Sequence, residues 1–93
     1  MNTITDVNFV FNVLNEDNLN LIKKKSRSFI PIKANKKWYR KQAKQLVLKV
    51  RFDEDFTKDE INSLVKVCDE SAKDLMHVKC SDVEYVGSEI VNR

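Results

Sequence analysis

Apolar and polar residues alternate in residues 5–14, a period typical of a half-buried strand. The apolar side of this segment carries Val7, Phe9, Phe11 and Val13. Several of the same apolar residues also fit a helical spacing, so a helix is the competing interpretation. Asparagine is a poor residue inside a helix and recurs through the segment, which favours the strand.

Residues 45–52 contain the clearest alternation in the chain. One side of this predicted strand carries Leu46, Leu48, Val50 and Phe52, and the other carries Gln45, Val47, Lys49 and Arg51. Three acidic residues at positions 53–55 follow the segment and end it. The pattern therefore predicts a strand with one buried face and one basic face.

Apolar residues at helical spacing predict two helices. The first covers residues 15–26, with acidic residues at its start and lysines at its end, where the helix dipole favours each charge. The second begins at a capping box formed by Thr57 and Glu60 and is predicted to reach about His77. Its inward stripe consists of Ile61, Leu64, Val65, Cys68, Ala72, Leu75 and Met76.

Three further segments have weaker patterns. Residues 28–33 alternate around Ile30 and Ile32 and predict a strand, placed at a sheet edge because Pro31 cannot donate a ladder hydrogen bond. Residues 34–44 interrupt the apolar pattern and predict either a long connection or one or two helical turns. Residues 82–91 predict a final strand with a bulge at Gly87.

The predicted order is strand, helix, strand, strand, helix, strand. This order predicts one small α+β domain over residues 1–93, a ferredoxin-like βαββαβ sandwich with a four-stranded antiparallel sheet and two helices on one face. If residues 5–14 are helical, the alternative is a three-stranded sheet with two or three helices.

Charge is distributed very unevenly along this chain. Residues 23–51 contain twelve basic residues and no acidic residue. The formal charges are −3 for residues 1–22, +12 for residues 23–51 and −6 for residues 52–93, which together give the net charge of +3. Such segregation indicates either a polyanion or an acidic protein surface as the partner.

The basic segment also contains Trp38 and Tyr39, whose rings can stack on unpaired bases. We therefore predict a small nucleic-acid-binding protein whose contacts go mainly to the phosphate backbone. The predicted topology is shared with RNA-recognition modules, but the chain lacks their base-stacking aromatic pattern, and DNA is not distinguished from RNA. The predicted binding residues are Lys33, Lys36, Lys37, Trp38, Tyr39, Arg40, Lys41, Lys44, Lys49 and Arg51.

Two other interpretations follow from the same features. The basic segment could dock on an acidic surface of a host or viral protein, as a phage- or virus-type inhibitor or adaptor does. Alternatively, an exposed sheet edge could pair with a second copy and give a homo-oligomer. The abundance of lysine and asparagine indicates an AT-rich genome, which is expected of a low-GC bacterium or of a phage or virus.

Enzymatic, metal-binding and membrane functions are not expected. His77, Cys68 and Cys80 are too few for a structural zinc site, and no histidine is joined to a nucleophile in a catalytic motif. Gly87 is the only glycine, so the chain has no glycine-rich phosphate loop. We expect no cofactor, no membrane association and a cytoplasmic location with reduced thiols.

Overall fold

In the computed structural model, which describes residues 4–74 and 80–92, a four-stranded antiparallel sheet packs against two helices. The strands are β1 (Thr5–Val13), β2 (Lys36–Arg40), β3 (Gln45–Phe52) and β4 (Val83–Asn92). The helices are α1 (Leu19–Lys25) and α2 (Lys58–Lys73), and short 3-10 turns at Glu16–Asn18 and Ser26–Ser28 flank α1. This architecture confirms the predicted α+β class.

The strands are ordered β2-β3-β1-β4, so β1 and β3 are central and β2 and β4 form the two edges. Each neighbouring pair is antiparallel. Phe9 lies opposite Leu48 in the central pair, which brings the apolar sides of the two clearest sequence patterns onto one face. The strand interpretation of residues 5–14 is thus confirmed, and the three-stranded alternative is wrong.

The hydrophobic core lies between this face of the sheet and both helices. Ile22 from α1 and Val65 from α2 belong to the same buried cluster as Phe9 and Leu48, so the helices cover one face. Phe11 packs its ring 5.1 Å from the rings of both Phe29 and Tyr85. The opposite face of the sheet has no helix among the described residues, and we call it the open face.

The second strand is not where the sequence pattern places it. Residues 28–33, predicted as a strand, form the end of a 3-10 turn and an irregular segment, and the strand lies at Lys36–Arg40. Pro31 removes a ladder donor, while Ile30 is buried without belonging to a strand. β2 is a sheet edge whose residues are all at least partly exposed, so it lacks the apolar alternation that reveals buried strands.

A turn at residues 41–44 returns the chain from β2 to β3. Lys44 adopts a left-handed backbone conformation there, with φ of 54°. Its carbonyl oxygen accepts a hydrogen bond of 2.8 Å from the backbone N–H of Val13 in β1. The segment predicted as a long connection or helical turns is therefore one arm and the turn of a β-hairpin.

The last two elements follow their predictions. β4 begins at Val83 and has a register shift in which Gly87 lies opposite Val10 and Tyr85 opposite Phe11, which confirms the predicted bulge. α2 is described as far as Lys73, and the predicted continuation to His77 lies outside the described residues. None of the helices in the described part of the chain is long and apolar enough to cross a membrane.

The capping box that opens α2 is present in full. The backbone N–H of Glu60 donates to Thr57 Oγ1 at 3.1 Å, and the backbone N–H of Thr57 donates to Glu60 Oε1 at 3.0 Å. Hydrogen bonding from the backbone N–H of Thr57, and then from its side chain, to the Glu60 carboxylate lowers the pKa of Glu60. A lowered carboxylate pKa stabilises the fold above the ordinary glutamate pKa, and this contribution is lost as the pH falls through the lowered value.

We expect Thr57→Ala to lower the free energy of unfolding by about 1 kcal/mol, because the first turn of α2 loses a side-chain acceptor. Urea denaturation measures this change. Thr57→Ser, which keeps the hydroxyl, is the matched control and should retain most of the stability. Equal loss in both variants would show that the hydroxyl does not stabilise the helix start.

Candidate nucleic-acid interface

The open face of the sheet is built from three rows of side chains that run from β2 to β4. Residues directly opposite each other on neighbouring strands share a face, so the registers define each row. In strand order β2-β3-β1-β4, the rows are Lys36–Lys49–Asn8–Glu89, Trp38–Val47–Val10–Gly87 and Arg40–Gln45–Asn12–Glu84. The cations lie on the β2 side of this face and the glutamates at the β4 edge.

Trp38 lies in the middle row and is half-buried. The ammonium nitrogen of Lys36 is 5.4 Å from the centroid of the Trp38 ring, and that of Lys49 is 5.6 Å away. Both distances fall within the range of cation–π attraction. The partly exposed indole therefore holds two ammonium groups over its ring.

The centre of the open face is apolar and shielded. Val10 and Val47 are buried although no helix in the described part of the chain covers them. Arg40 and Glu89 come from the two outermost strands and different rows, so their ion pair at 3.6 Å crosses the middle row. The ion pair covers the middle row and neutralises Arg40. Lys36, which has no ion-pair partner among the described residues, is therefore the main positive charge that β2 presents on this face.

Asp6 balances the basic end of β3. This carboxylate is almost fully buried and accepts hydrogen bonds from Arg51 Nε at 2.8 Å and Arg51 Nη2 at 3.0 Å. Lys49 Nζ lies 3.8 Å from Asp6 Oδ2. The hydrogen bond to Asp6 raises the pKa of Arg51. Arg51 and Lys49 are thus held in place by an internal counter-charge, which reduces the positive potential they present.

A groove of about 700 Å³ lies at the start of β2, where the irregular segment 30–35 leads into the strand. Ile30, Leu48 and other apolar residues line it. Its cationic residues are Arg27, Lys33, Lys36 and Lys37, and its lining contains no acidic residue. We call this the β2 groove. It adjoins the open face through Lys36, so the two surfaces form one positive region around the β2 edge.

The remaining predicted residues lie around this region. Lys37 Nζ donates to the carbonyl oxygen of Lys23 at the end of α1, 2.9 Å away. Lys41 and Lys44 are exposed in the hairpin turn, at the far end of β2 from Lys33. They extend the positive surface along the hairpin.

Among the predicted nucleic-acid-binding residues, Tyr39 lies apart from the positive region around the β2 edge. Neighbouring residues in a strand point to opposite faces, so Tyr39 lies on the helix side, where it packs against the core. Its hydroxyl donates to Glu16 Oε1 at 3.0 Å. Partial burial and this hydrogen bond raise the pKa of Tyr39. Its ring is therefore not brought beside Trp38.

The structure adds residues that sequence reasoning did not assign to the site. Arg27 joins the β2 groove, and the basic run from residue 23 onward was the signal for it. Asp6 and Glu89 supply the counter-charges, and their roles depend on strand register. The alternation in residues 5–14 had placed Asp6 on the polar side, but only the pairing of β1 with β3 brings it to Arg51.

A second polar cluster joins α2 to β4 on the helix side. The Tyr85 hydroxyl donates to Asp69 Oδ1, and burial together with this contact raises the pKa of Tyr85. Burial raises the pKa of the neighbouring Cys68 thiol to about 11. Cys68 is therefore a protonated, unreactive core residue at neutral pH. No cluster of potential metal ligands is found among residues 4–74 and 80–92.

Comparison of the chain with protein-family models, with curated proteins and with solved structures gives no match in any of the three.

Proposed function

We propose that the protein is a non-enzymatic nucleic-acid-binding protein whose contacts go mainly to the sugar-phosphate backbone. The observation that carries this proposal is the positive region around the β2 edge, where the acid-free β2 groove adjoins Trp38 and its two flanking lysines. Lysine and arginine neutralise phosphates and release counterions, and an aromatic ring offers a stacking surface to a base.

The distribution of charge supports the β2 edge as the centre of binding. Arg27 and Lys33 have no ion-pair partner among the described residues. Arg51 and Arg40, by contrast, are paired with Asp6 and Glu89. Phosphates are attracted most strongly where cations have no internal counter-charge. We therefore assign the main backbone contacts to the β2 groove and the stacking contact to Trp38.

A ferredoxin-like arrangement is the fold that we propose for this function. The alternation of strands and helices supports it, as do the central positions of β1 and β3. We also retain a cytoplasmic location as a proposal. The unpaired and buried thiols of Cys68 and Cys80 support a reducing setting, because disulfides are favoured in oxidising compartments.

Charge reversal in the β2 groove provides the test. We expect the double variant Lys33→Glu, Lys37→Glu to bind a single-stranded oligonucleotide about 25-fold more weakly at 0.1 M salt, since counterion release gives each single-strand phosphate contact about 0.7 log unit of affinity at that salt concentration. Both side chains are exposed, and the variant loses one exposed hydrogen bond, from Lys37 to the Lys23 carbonyl oxygen, so the melting temperature should fall by only a few degrees. Fluorescence anisotropy of a labelled oligonucleotide measures the affinity.

The matched control is the double variant Lys58→Glu, Lys66→Glu, which makes the same change of net charge on α2. Both lysines are exposed and lie outside the β2 groove. The control should retain affinity within a fewfold of the wild type. Equal weakening by both double variants would mean that only net charge matters, and the proposed interface would be wrong.

A further inference from the structure

The two edges of the sheet differ in length and in chemistry. β2 has five residues, of which Lys36, Lys37 and Arg40 are basic. β4 has ten residues and contains no lysine, arginine or proline. Its Val86, Ile90 and Val91 are 53%, 48% and 42% exposed. Proteins commonly protect a sheet edge with lysine, proline, a short strand, other charges or a bulge. β4 is long and has no lysine or proline, so the protections it keeps are Glu84, Glu89 and the bulge at Gly87.

The three rows of the open face end in complementary residues at the two edges. The first row begins with Lys36 on β2 and ends with Glu89 on β4, and the third begins with Arg40 and ends with Glu84. The middle row begins with Trp38 and ends with Gly87. Each row thus has a basic or aromatic residue at one edge and an acidic residue or a glycine at the other.

From this complementarity we propose that the β4 edge binds the β2 edge of a second copy of the chain. Because neighbouring strands alternate in direction across a four-stranded sheet, β2 and β4 run antiparallel to each other. A second copy placed beside β4 in the same orientation therefore continues the antiparallel sheet, with its helices on the same side. Glu89 then faces Lys36 of the second copy, and Glu84 faces its Arg40.

The bulge in β4 gives the edge its matching spacing. Val86 is passed over in the pairing of β1 with β4, so Glu84 and Glu89 lie opposite Asn12 and Asn8, which are four residues apart. Lys36 and Arg40 are also four residues apart. Without the bulge, one glutamate would point to the helix side and one charge pair would be lost.

The middle row places Trp38 of one copy against Gly87 of the next. A Cβ added at Gly87 would meet no atom within 4 Å, so the surface there is open. An aromatic side chain across from a glycine in a sheet covers the exposed backbone of the glycine. Gly87 also has φ of 150°, which residues with a side chain rarely adopt. The bulge therefore favours glycine at this position, and the absence of a side chain leaves the surface there open.

Pairing of unlike edges is a heterologous contact, which leaves a free β4 edge at one end and a free β2 edge at the other. We therefore expect association that grows with concentration and weakens with salt, because the paired charges are exposed. The Arg40–Glu89 contact within each copy is exposed as well and can persist beside the new pairs. Edge pairing needs no nucleic acid, and it uses Trp38 and Lys36, so a copy whose β2 edge is paired does not offer these two residues to nucleic acid.

Sedimentation velocity without nucleic acid tests the inference through a charge exchange. The wild type should sediment faster as its concentration rises. The variant Glu84→Lys, Glu89→Lys and the variant Lys36→Glu, Arg40→Glu should each remain monomeric, because like charges then meet at every pair of edges. An equal mixture of the two variants should associate again, because the basic β4 edge of the first variant then meets the acidic β2 edge of the second.

Lys58→Glu, Lys66→Glu is the control here too and should associate as the wild type does. Circular dichroism checks that each variant is folded. A wild type that stays monomeric at every concentration would overturn the inference. So would continued association of the Lys36→Glu, Arg40→Glu variant alone, which would show β4 pairing with β4, or a mixture that fails to associate.

Discussion

Leu48→Ala is expected to lower the free energy of unfolding by about 2–5 kcal/mol, the range found for buried leucines replaced by alanine. Leu48 is 1% exposed and lies in the central strand β3, opposite Phe9. Its removal takes apolar area out of the core and leaves a cavity between the sheet and the helices. A small domain has only about 5–15 kcal/mol of stability, so this loss is a large share.

Leu21→Ala is the matched control, since the substitution is the same and Leu21 is 49% exposed on α1. Its effect should stay within about 0.5 kcal/mol, as is usual for surface positions. Urea denaturation of both variants gives the two changes in the free energy of unfolding. The dependence of that free energy on urea concentration should be the same in both variants. Similar losses at both positions would contradict the core as we describe it.

The second large effect is expected on binding. Trp38→Ala should weaken the binding of single-stranded nucleic acid by about 1–3 kcal/mol, or roughly 5- to 150-fold, because a stacked base loses its aromatic partner. Duplex binding should change much less, since paired bases offer no free face. The ammonium groups of Lys36 and Lys49 lie over the ring, so a base that stacks there takes the place of at least one of them, and the displaced ammonium group is then close enough to contact the phosphate of that nucleotide.

Two further variants separate stacking from other effects of the change. Trp38→Phe keeps an aromatic face and should retain much of the affinity. Tyr39→Phe removes the hydroxyl that contacts Glu16 on the other side of β2 and should leave binding unchanged. Anisotropy titrations with single-stranded and duplex oligonucleotides measure all three. Equal weakening of both nucleic acids by Trp38→Ala would exclude stacking as its role.

The elements that sequence reasoning predicted well are those with a deeply buried face. β1, β3 and α2 each place several side chains in the core, and burial is what imposes a period on the sequence. The capping box of α2 was also readable, since Thr57 and Glu60 satisfy local backbone groups and need no distant partner. The bulge in β4 was visible because the apolar residues of the segment change parity around Gly87, which is also a local signal.

β2 was missed because its position depends on pairing rather than on burial. Its side chains are all at least partly exposed, and Ile30 and Ile32 made the preceding segment look more like a strand. The misplaced strand also affected the prediction of the binding residues. With residues 34–44 interpreted as a connection, Trp38 and Tyr39 were both offered as stacking residues, whereas strand geometry sends them to opposite faces.

The charge pattern located the positive region but not its internal balance. Twelve basic residues in residues 23–51 indicated a binding surface, and four of them, Arg27, Lys33, Lys36 and Lys37, line the β2 groove. Which of these charges is neutralised depends on residues distant in the chain. Asp6 reaches Arg51 only through the pairing of β1 with β3, and Glu89 reaches Arg40 only because the ion pair crosses the sheet.

The most direct test of nucleic-acid binding is titration of the purified protein with random single-stranded and duplex oligonucleotides at low salt. Trp38 is the only tryptophan, so its fluorescence reports on the proposed interface itself. We predict binding of both nucleic acids with a dissociation constant below about 100 μM. Affinity should fall with salt by a log–log slope of about −0.7 to −0.9 for each phosphate contacted. An absence of binding up to about 100 μM at low salt would contradict the proposal, because non-specific binders typically reach 10⁻⁴–10⁻⁶ M even at physiological salt.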